Sequence, residues 1–552
     1  MRFLFLLLII TSAVFAGCGG SISQYVPAVI GTNGGVINVT VSLIPGEGDV
    51  YITSYPRVGV STQESVEKAV SYAYFVSSAD EKCDVLFKFG REQSAGYVDG
   101  PSAGAAFTAM SYALFENETM RNDTIITGSV DEYGQIGPVG GLYEKARGAI
   151  SKNARYFITP VESLYEMLLL KNLEEDYGIE IIEAENVEQI ISFMIDNESI
   201  EQEPLTARKR EIPELEELDY GDLEEFAQVS RRMIHLEEEL VASIIIEGNE
   251  TQEVKEFYEN EVQRQSSIHD NGYLFSAANE AFLNYIDILT IKVVLSGDPD
   301  LPRKKGEVGI CLTNIERPKL TDQNFEWIIG ADQRQAWAFE KLDNSMVEEK
   351  LLEEEKFMEY HELAYGDAWC QVATSLVSAA PDGGSEVNEE LWEEIAKEKI
   401  EEANQLGVLA YETEERLGIA EKSYEEGKYG AAIYDTVYVI QMEIATRELS
   451  AEIDLETEVP LMLEQERTSL WGNVYQSHAG FLYSLNQSEV AYRTIRFAQG
   501  LDDATAQMMD AQNSVEESQD KWDIDTILIA VLIICIFLFI IVIVLMGGAH
   551  GN

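Results

Sequence analysis

The first two hundred residues of this 552-residue chain contain no histidine. That excludes a Ser-His-Asp triad built within the N-terminal third, because no imidazole is there to take the nucleophile's proton. Cysteine is almost as scarce, with five in the whole chain and no Cys-x-x-Cys pair or Cys/His cluster, which leaves no structural zinc site. Basic residues are few. Lys and Arg number 39 against 98 Asp and Glu, a net charge of −59, and a phosphate backbone is bound by Lys and Arg, so nucleic acid is excluded as a partner. No Gly-x-x-x-x-Gly-Lys-Ser/Thr phosphate loop occurs, so the sequence shows no sign of an ATPase module. The acidity suits a solvated, self-repelling surface, as on proteins of salty media or exposed cell surfaces.

Two long apolar runs are present. Met1 to Gly17 carries one Arg, then FLFLLLIITSAVFA, and reads as a secretory signal cleaved after Ala16. Ala16-Gly17-Cys18 also has the look of a lipoprotein box, with Cys18 as the lipidated residue. Thr526 to Met546 holds 21 residues without a charge, enough for a C-terminal transmembrane helix at about 20 residues per crossing. Together the runs predict a single-pass cell-membrane protein with its bulk extracytoplasmic. Cys18 then lies at the processing site and Cys535 in the span, so at most one disulfide is expected, Cys311–Cys370. Six Asn-x-Ser/Thr triplets (Asn38, Asn117, Asn122, Asn197, Asn249, Asn486) are compatible with surface glycosylation.

Between the runs the chain divides in two. Residues 25–200 alternate strand and helix signals: VINVTVSLIP and GDVYITSY around a Gly-Glu-Gly turn, a helix over Ser65–Ser77, the strand CDVLFKF, an Ala-rich helix over Ser102–Phe115, a hairpin around Gly134, and a helix over Leu142–Ser151. This is an α+β pattern. Residues 201–214, with two prolines and a basic cluster, read as a linker. Residues 215–520 are rich in Glu, Ala, Leu and Lys at helical spacing and predict a helical bundle or irregular array. Gly427-Lys428-Tyr429 leading to Ala431-Ala432 resembles the inner helix of a tetratricopeptide-type hairpin, without a fixed period. The acid runs Glu348–Glu355 and Glu389–Glu402 read as solvated helix faces.

Candidate chemistry centres on Asp99-Gly100-Pro101-Ser102-Ala103-Gly104. Small residues lead straight into an Ala-rich helix, placing Ser102 at its first turn. Unpaired N–H groups there can hold a developing oxyanion. The alternative is that Ser102 merely caps the helix. With histidine absent the base has to be a lysine, and burial disfavours the charged form of an amine. Lys145, in GPVGGLYEKARGA, sits early in an amphipathic helix among Leu142, Ala146 and Ala149. Its alternative is a solvated surface lysine near Glu144.

Taken together, three segments carry a family resemblance. Asp99–Gly104, Ile126-Thr127-Gly128-Ser129-Val130, and Gly137-Pro138-Val139-Gly140-Gly141-Leu142-Tyr143-Glu144-Lys145 occur in order, with Ser102 and Lys145 43 residues apart. From about Gly34 to Ile200 the chain resembles the proteolytic domain of Lon proteases. The resemblance implies an α+β Lon-type fold followed by the helical domain, with Ser102 as nucleophile and Lys145 as general base. It also implies that Thr127 positions the lysine amine, that Asp99 shapes the cleft, and that the backbone at Gly100 and Ala103 lines the oxyanion side. No metal or cofactor is called for. The implied partners are unfolded or flexible polypeptides, with a homo-oligomer possible for the domain and the membrane reached through the C-terminal helix. The sequence departs from the family in lacking histidines on VLFKFG and in placing Ser129 where a Glu is usual. The competing functions are a catalytically silent scaffold and a self-processing protease cutting near Lys209-Arg210.

Overall fold

Alternation along VINVTVSLIP puts Ile37, Val39, Val41 and Leu43 on one face, and all four are buried. They begin the core of the first of two compact units, residues 1–207 and 208–552. The structure, a computed structural model, describes residues 18–514 apart from 31–32, 54–55, 80–81, 91–96, 162–163, 203–209, 214, 216, 219–222, 247, 346–350, 352, 408–410 and 452.

In chain order the first unit runs β1 (Ser21–Ile30), β2 (Asn33–Pro45), β3 (Val50–Ile52), β4 (Arg57–Val58), α1 (Val60–Val76), β5 (Cys83–Phe89), β6 (Tyr97–Val98) and α2 (Gly104–Phe115). It continues with β7 (Thr124–Ile126), β8 (Ser129–Val130), β9 (Ile136–Gly137), α3 (Leu142–Ser151), β10 (Tyr156–Thr159), α4 (Leu164–Tyr177), β11 (Glu180–Glu183) and α5 (Val187–Ile191), which runs into a π-helical turn, Ser192–Asp196. One sheet has the order β1-β2-β5-β3 and a second the order β11-β10-β7. In the first, β1/β2 and β2/β5 are antiparallel and β3/β5 parallel; the second is parallel throughout. The Ala-rich face of α2 fits close against the sheet because its small side chains let the backbones approach. Phe107 from α2 meets Phe87 and Phe89 of β5 edge-on, with ring centres 5.2 and 5.9 Å apart.

The second unit is helical: α6 (Glu224–Ala242), α7 (Asn249–Asp270), α8 (Leu274–Ser296), α9 (Leu301–Thr313), α10 (Phe325–Asn344), α11 (Glu353–Ala379), α12 (Glu393–Asn404), α13 (Tyr411–Glu425), α14 (Tyr429–Leu449), α15 (Leu455–Leu463) and α16 (Leu470–Ser484), then a helix over 488–514. Its main core gathers Phe226, Phe325, Trp327, Trp392, Tyr434 and Trp471. His478 of α16 has its Nδ1 2.9 Å from Ser276 Oγ, and burial lowers its pKa to about 4. An unfolded imidazole titrates near 6.5. Between those values the unfolded chain binds a proton that the folded chain refuses, so stability is lost as pH falls from about 6.5 towards 4. Replacing His478 with Gln should remove about 2 kcal/mol of the loss between pH 7 and pH 5. Urea melts at the two pH values read this directly, and an unchanged loss in the variant would contradict it.

Several expectations are corrected here. No helix among the described residues is long and apolar enough to cross a membrane. The expected signal at 1–17 and span at Thr526–Met546 lie outside those residues. The C-terminal transmembrane helix, the membrane as a partner and single-pass placement in the cell membrane therefore have no support, and the fold is an α+β unit followed by a helical one. The cysteine reading is corrected too. Cys311 and Cys370 pair, joining α9 to α11, but Cys18 also pairs with Cys83, with Cα atoms 5.5 Å apart. Assigning Cys18 to a processing site removed it from the pairing, and the lipidated alternative is replaced by a bond that fastens the start of β1 to β5.

Candidate functional site

Helix α1 begins at Val60, and its N-cap, Gly59, brings no side-chain cap of its own. The cap arrives from a distant part of the chain. Asp99 Oδ1 accepts from the Thr62 N–H at 3.3 Å and from the Gly100 N–H at 2.9 Å. A carboxylate at a helix N-terminus meets the orphan donors and the positive end of the dipole. A side chain on Gly59 would fall on the Asp99 carboxylate, so the glycine keeps that seat open. Two more side chains of α1 complete the clamp: Thr62 Oγ1 donates to the Gly100 carbonyl at 3.0 Å and Ser65 Oγ to the Pro101 carbonyl at 3.1 Å. Gly100 itself has φ +121, a conformation that only glycine adopts without strain.

Ser102 follows this clamped turn. Its carbonyl accepts from the Gly128 N–H at 2.8 Å and from Thr127 Oγ1 at 3.1 Å. The resemblance pairs the Thr127 hydroxyl with the lysine amine, and the bond seen goes to the Ser102 carbonyl; a hydroxyl that donates there keeps its lone pairs for an amine. The N-cap of α2 is Ala103, with no side-chain cap bond, and the helix starts at Gly104. Ser102 is therefore not the capping residue. It lies two positions ahead of the helix, where a side chain is free of the helical wall. The Gly100 N–H is engaged by Asp99, whereas the Ala103 N–H has no acceptor among the described residues and is available to an oxyanion.

The opposite wall is α3. Its N-cap, Gly141, has φ +67, and a Cβ there would lie 2.6 Å from Val29 Cγ2 of β1, so both the left-handed turn and the close approach require glycine. The turn starts α3 so that Lys145 points inward. Lys145 is 4% exposed, which rules out the solvated surface reading. Burial pushes the pKa of the neighbouring Glu144 up. Farther along, Gly148 packs on β2, where an added Cβ would stand 2.6 Å from the Gly35 carbonyl. Gly148→Ala should cost about 1–3 kcal/mol through overpacking, despite alanine's better helix propensity. Because α3 carries Lys145, peptidase activity should fall further than the urea midpoint; a variant as stable and active as wild type would contradict this packing.

A cavity of about 530 Å³ separates the two walls, and Ser102, Lys145, Asp99, Gly100 and Ala103 all line it, with Thr127 buried behind. Sequence reasoning did not single out Thr62, which lines the cavity and clamps Gly100, nor Ser65. The i, i+3 spacing of two hydroxyls in the first turns of α1 was the available signal. It also passed over Pro27, Ala28 and Val29 of β1, which form the cavity's far edge.

Comparison with known proteins converges on the same segment. Residues 27–197 match the family described as Lon protease (S16) C-terminal proteolytic domain. Similar proteins include a Lon protease of Wolbachia pipientis, 29% identical over 170 residues, or 30% of this chain and 20% of that protein. A Lon protease of Fervidobacterium nodosum is 34% identical over 136 residues, 23% of this chain and 16% of that one. Lon protease 2 of Bacillus subtilis is 25% identical over 194 residues, 32% of this chain and 33% of its own. The chain thus spans about a fifth of the length of the first and a third of the last. Within that span the likeness is consistent, and residues 27–197 form a Lon-type proteolytic domain, that of a serine peptidase family.

Proposed function

We propose that the chain is a serine endopeptidase that cuts unfolded or flexible polypeptides without ATP, with Ser102 as nucleophile and Lys145 as general base. The observation that carries this reading is the shared cavity: a serine on a clamped turn faces a buried lysine across one cleft. In the reaction the Ser102 oxygen attacks the scissile carbonyl carbon and its proton passes to the neutral Lys145 amine. The Ala103 N–H stabilises the oxyanion. The C–N bond then breaks as Lys145 returns the proton to the leaving amine. Water, deprotonated by the same lysine, attacks the acyl-enzyme ester; the bond from the acyl carbon to the Ser102 oxygen breaks, that oxygen takes the proton back from the lysine, and the acid product leaves.

One feature supports the substrate class and two support cleavage without ATP. β1 is the edge strand of its sheet and brings Pro27, Ala28 and Val29 to the cavity. A segment able to lie extended along that edge can reach Ser102, which favours chains without fixed structure. No phosphate loop occurs in the sequence to couple cleavage to ATP. Two disulfides suit an oxidising setting, where a nucleotide motor would have little fuel.

A fluorophosphonate probe tests the reading. The folded protein should gain one adduct, mapped by peptide mass to Ser102. A folded protein that takes no adduct, or takes it elsewhere, would refute it.

A further inference from the structure

The helical unit holds a second cavity, of about 450 Å³, lined by residues of α6, α8, α10, α11, α13, α14, α16 and the 488–514 helix. Its walls are aromatic and aliphatic, with Phe226, Phe275, Phe282, Trp369, Trp471 and Phe497 prominent. The polar residues in the lining are unusual for this chain. Acidic residues outnumber basic ones 98 to 39 over the sequence, yet among the described residues no Asp or Glu lines the cavity and three arginines do: Arg334, Arg416 and Arg493.

These guanidinium groups are built in. Arg334 is 4% exposed and lies 4.4 Å over the Trp471 ring and 4.9 Å over Trp337. Arg416 also lies 3.6 Å over the Trp337 ring, and 4.8 Å over Tyr438. Stacking of this kind fixes a planar guanidinium and leaves its N–H edge to be used. Of the three, only Arg416 has a carboxylate partner among the described residues: buried Asp435 is 3.0 Å from Arg416 Nε and also accepts from Gln333 at 2.8 Å and Trp337 at 3.3 Å. Among the described residues Arg334 bonds only neutral groups, namely the Gly330 carbonyl, Gln333 Oε1 and Tyr475 Oη, and its Nε is buried without a partner there. Arg493 donates to Thr446 Oγ1 and has no carboxylate partner among the described residues. His478, also in the wall, adds no charge near neutral pH, since burial lowers its pKa to about 4. Leaving a buried guanidinium short of an anion is costly, and a carboxylate entering this cavity would meet donors already fixed in place.

We propose that this cavity binds a small amphiphilic acid, its carboxylate held by Arg334 and Arg493 and its alkyl or aryl body packed among the aromatic rings. The volume falls in the usual range for a small-molecule site, roughly 300–1,000 Å³. A peptide fits less well. Each amide it brought in would need a partner, and apart from the arginines and rings' own polar tips the lining offers Asn279 and Thr494. The site is independent of the peptidase reading, and the proposal stands or falls without it.

Titration calorimetry on the full chain, with tryptophan fluorescence reporting on Trp369 and Trp471, tests the proposal with decanoate and 4-phenylbutyrate against decanol and 4-phenylbutanol. The acids should bind one to one, at least about tenfold more tightly than their alcohols. Arg493→Gln should reduce acid affinity about tenfold and leave alcohol affinity unchanged. Acid and alcohol of equal affinity in the wild type, no binding by either, or tighter binding of a short peptide ending in a free phenylalanine than of either acid would each overturn it. The wild-type comparison needs no variant to fold.

Discussion

Ser102→Ala is expected to lower kcat/KM on an unfolded substrate by about 10⁴-fold or more, while the thermal midpoint stays within a degree or two of wild type. The two parts of this expectation have separate origins. The turn that carries Ser102 is held by main-chain groups: its carbonyl takes bonds from Gly128 and Thr127, while Thr62 and Ser65 hold the carbonyls just ahead of it. None of those bonds uses the hydroxyl that the substitution deletes. Activity is another matter, because without an oxygen nucleophile no acyl-enzyme forms. A 10⁴-fold loss corresponds to about 5.5 kcal/mol of transition-state stabilisation. Residual turnover near the wild-type rate would mean that the reaction is carried elsewhere.

Lys145→Met should be as damaging as Ser102→Ala, and the double variant no worse than either alone. Nucleophile and base act as one unit, so removing the second partner takes nothing further away. Lys145→Arg discriminates between base and charge. A guanidinium keeps its proton throughout the usable pH range, so an arginine preserves the positive charge and abolishes the base. If Lys145 served only to attract an anion or to hold the fold, arginine would rescue activity; the dyad predicts that it will not. Each variant should still unfold in a cooperative urea transition, so that the loss is one of chemistry and not of fold. Paired kinetics and urea melts on the four variants and the wild type separate these outcomes.

The strongest local patterns were legible before any coordinates. CDVLFKF is β5 over the same seven residues, and Leu142–Ser151 is α3 at both ends, because each is a short unambiguous period bounded by turn residues. The first strand was passed over. Ser21–Ile30 comes just after the apolar run Met1–Gly17 and contains Pro27, which demotes a strand signal; pairing with β2 over all ten positions overrides it. α1 was expected from Ser65 and starts at Val60. Its first turn has no local capping signature because its cap, Asp99, is supplied from 37 residues downstream of Thr62. That displacement hid Thr62 and Ser65, which act on the turn before Ser102. The order and spacing of the Asp99–Gly104 and Gly137–Lys145 segments pointed to the two walls of one cleft. What spacing could not convey is how the walls are held: an N-terminal cap borrowed across the fold, a left-handed glycine against β1, and a threonine behind the serine. The arginines of the helical unit were invisible for a similar reason. Arg334, Arg416 and Arg493 are separated by 82 and 77 residues and converge only through helix packing.

The most direct measurement of the central claim is mass spectrometry of the peptides released from reduced, alkylated casein by the full chain in nucleotide-free buffer, with Ser102→Ala alongside. The account predicts new peptide termini from the wild-type protein, accumulating with time, and none from the variant. The same termini at the same rate from both proteins, or none from a wild-type chain shown to be folded, would contradict it.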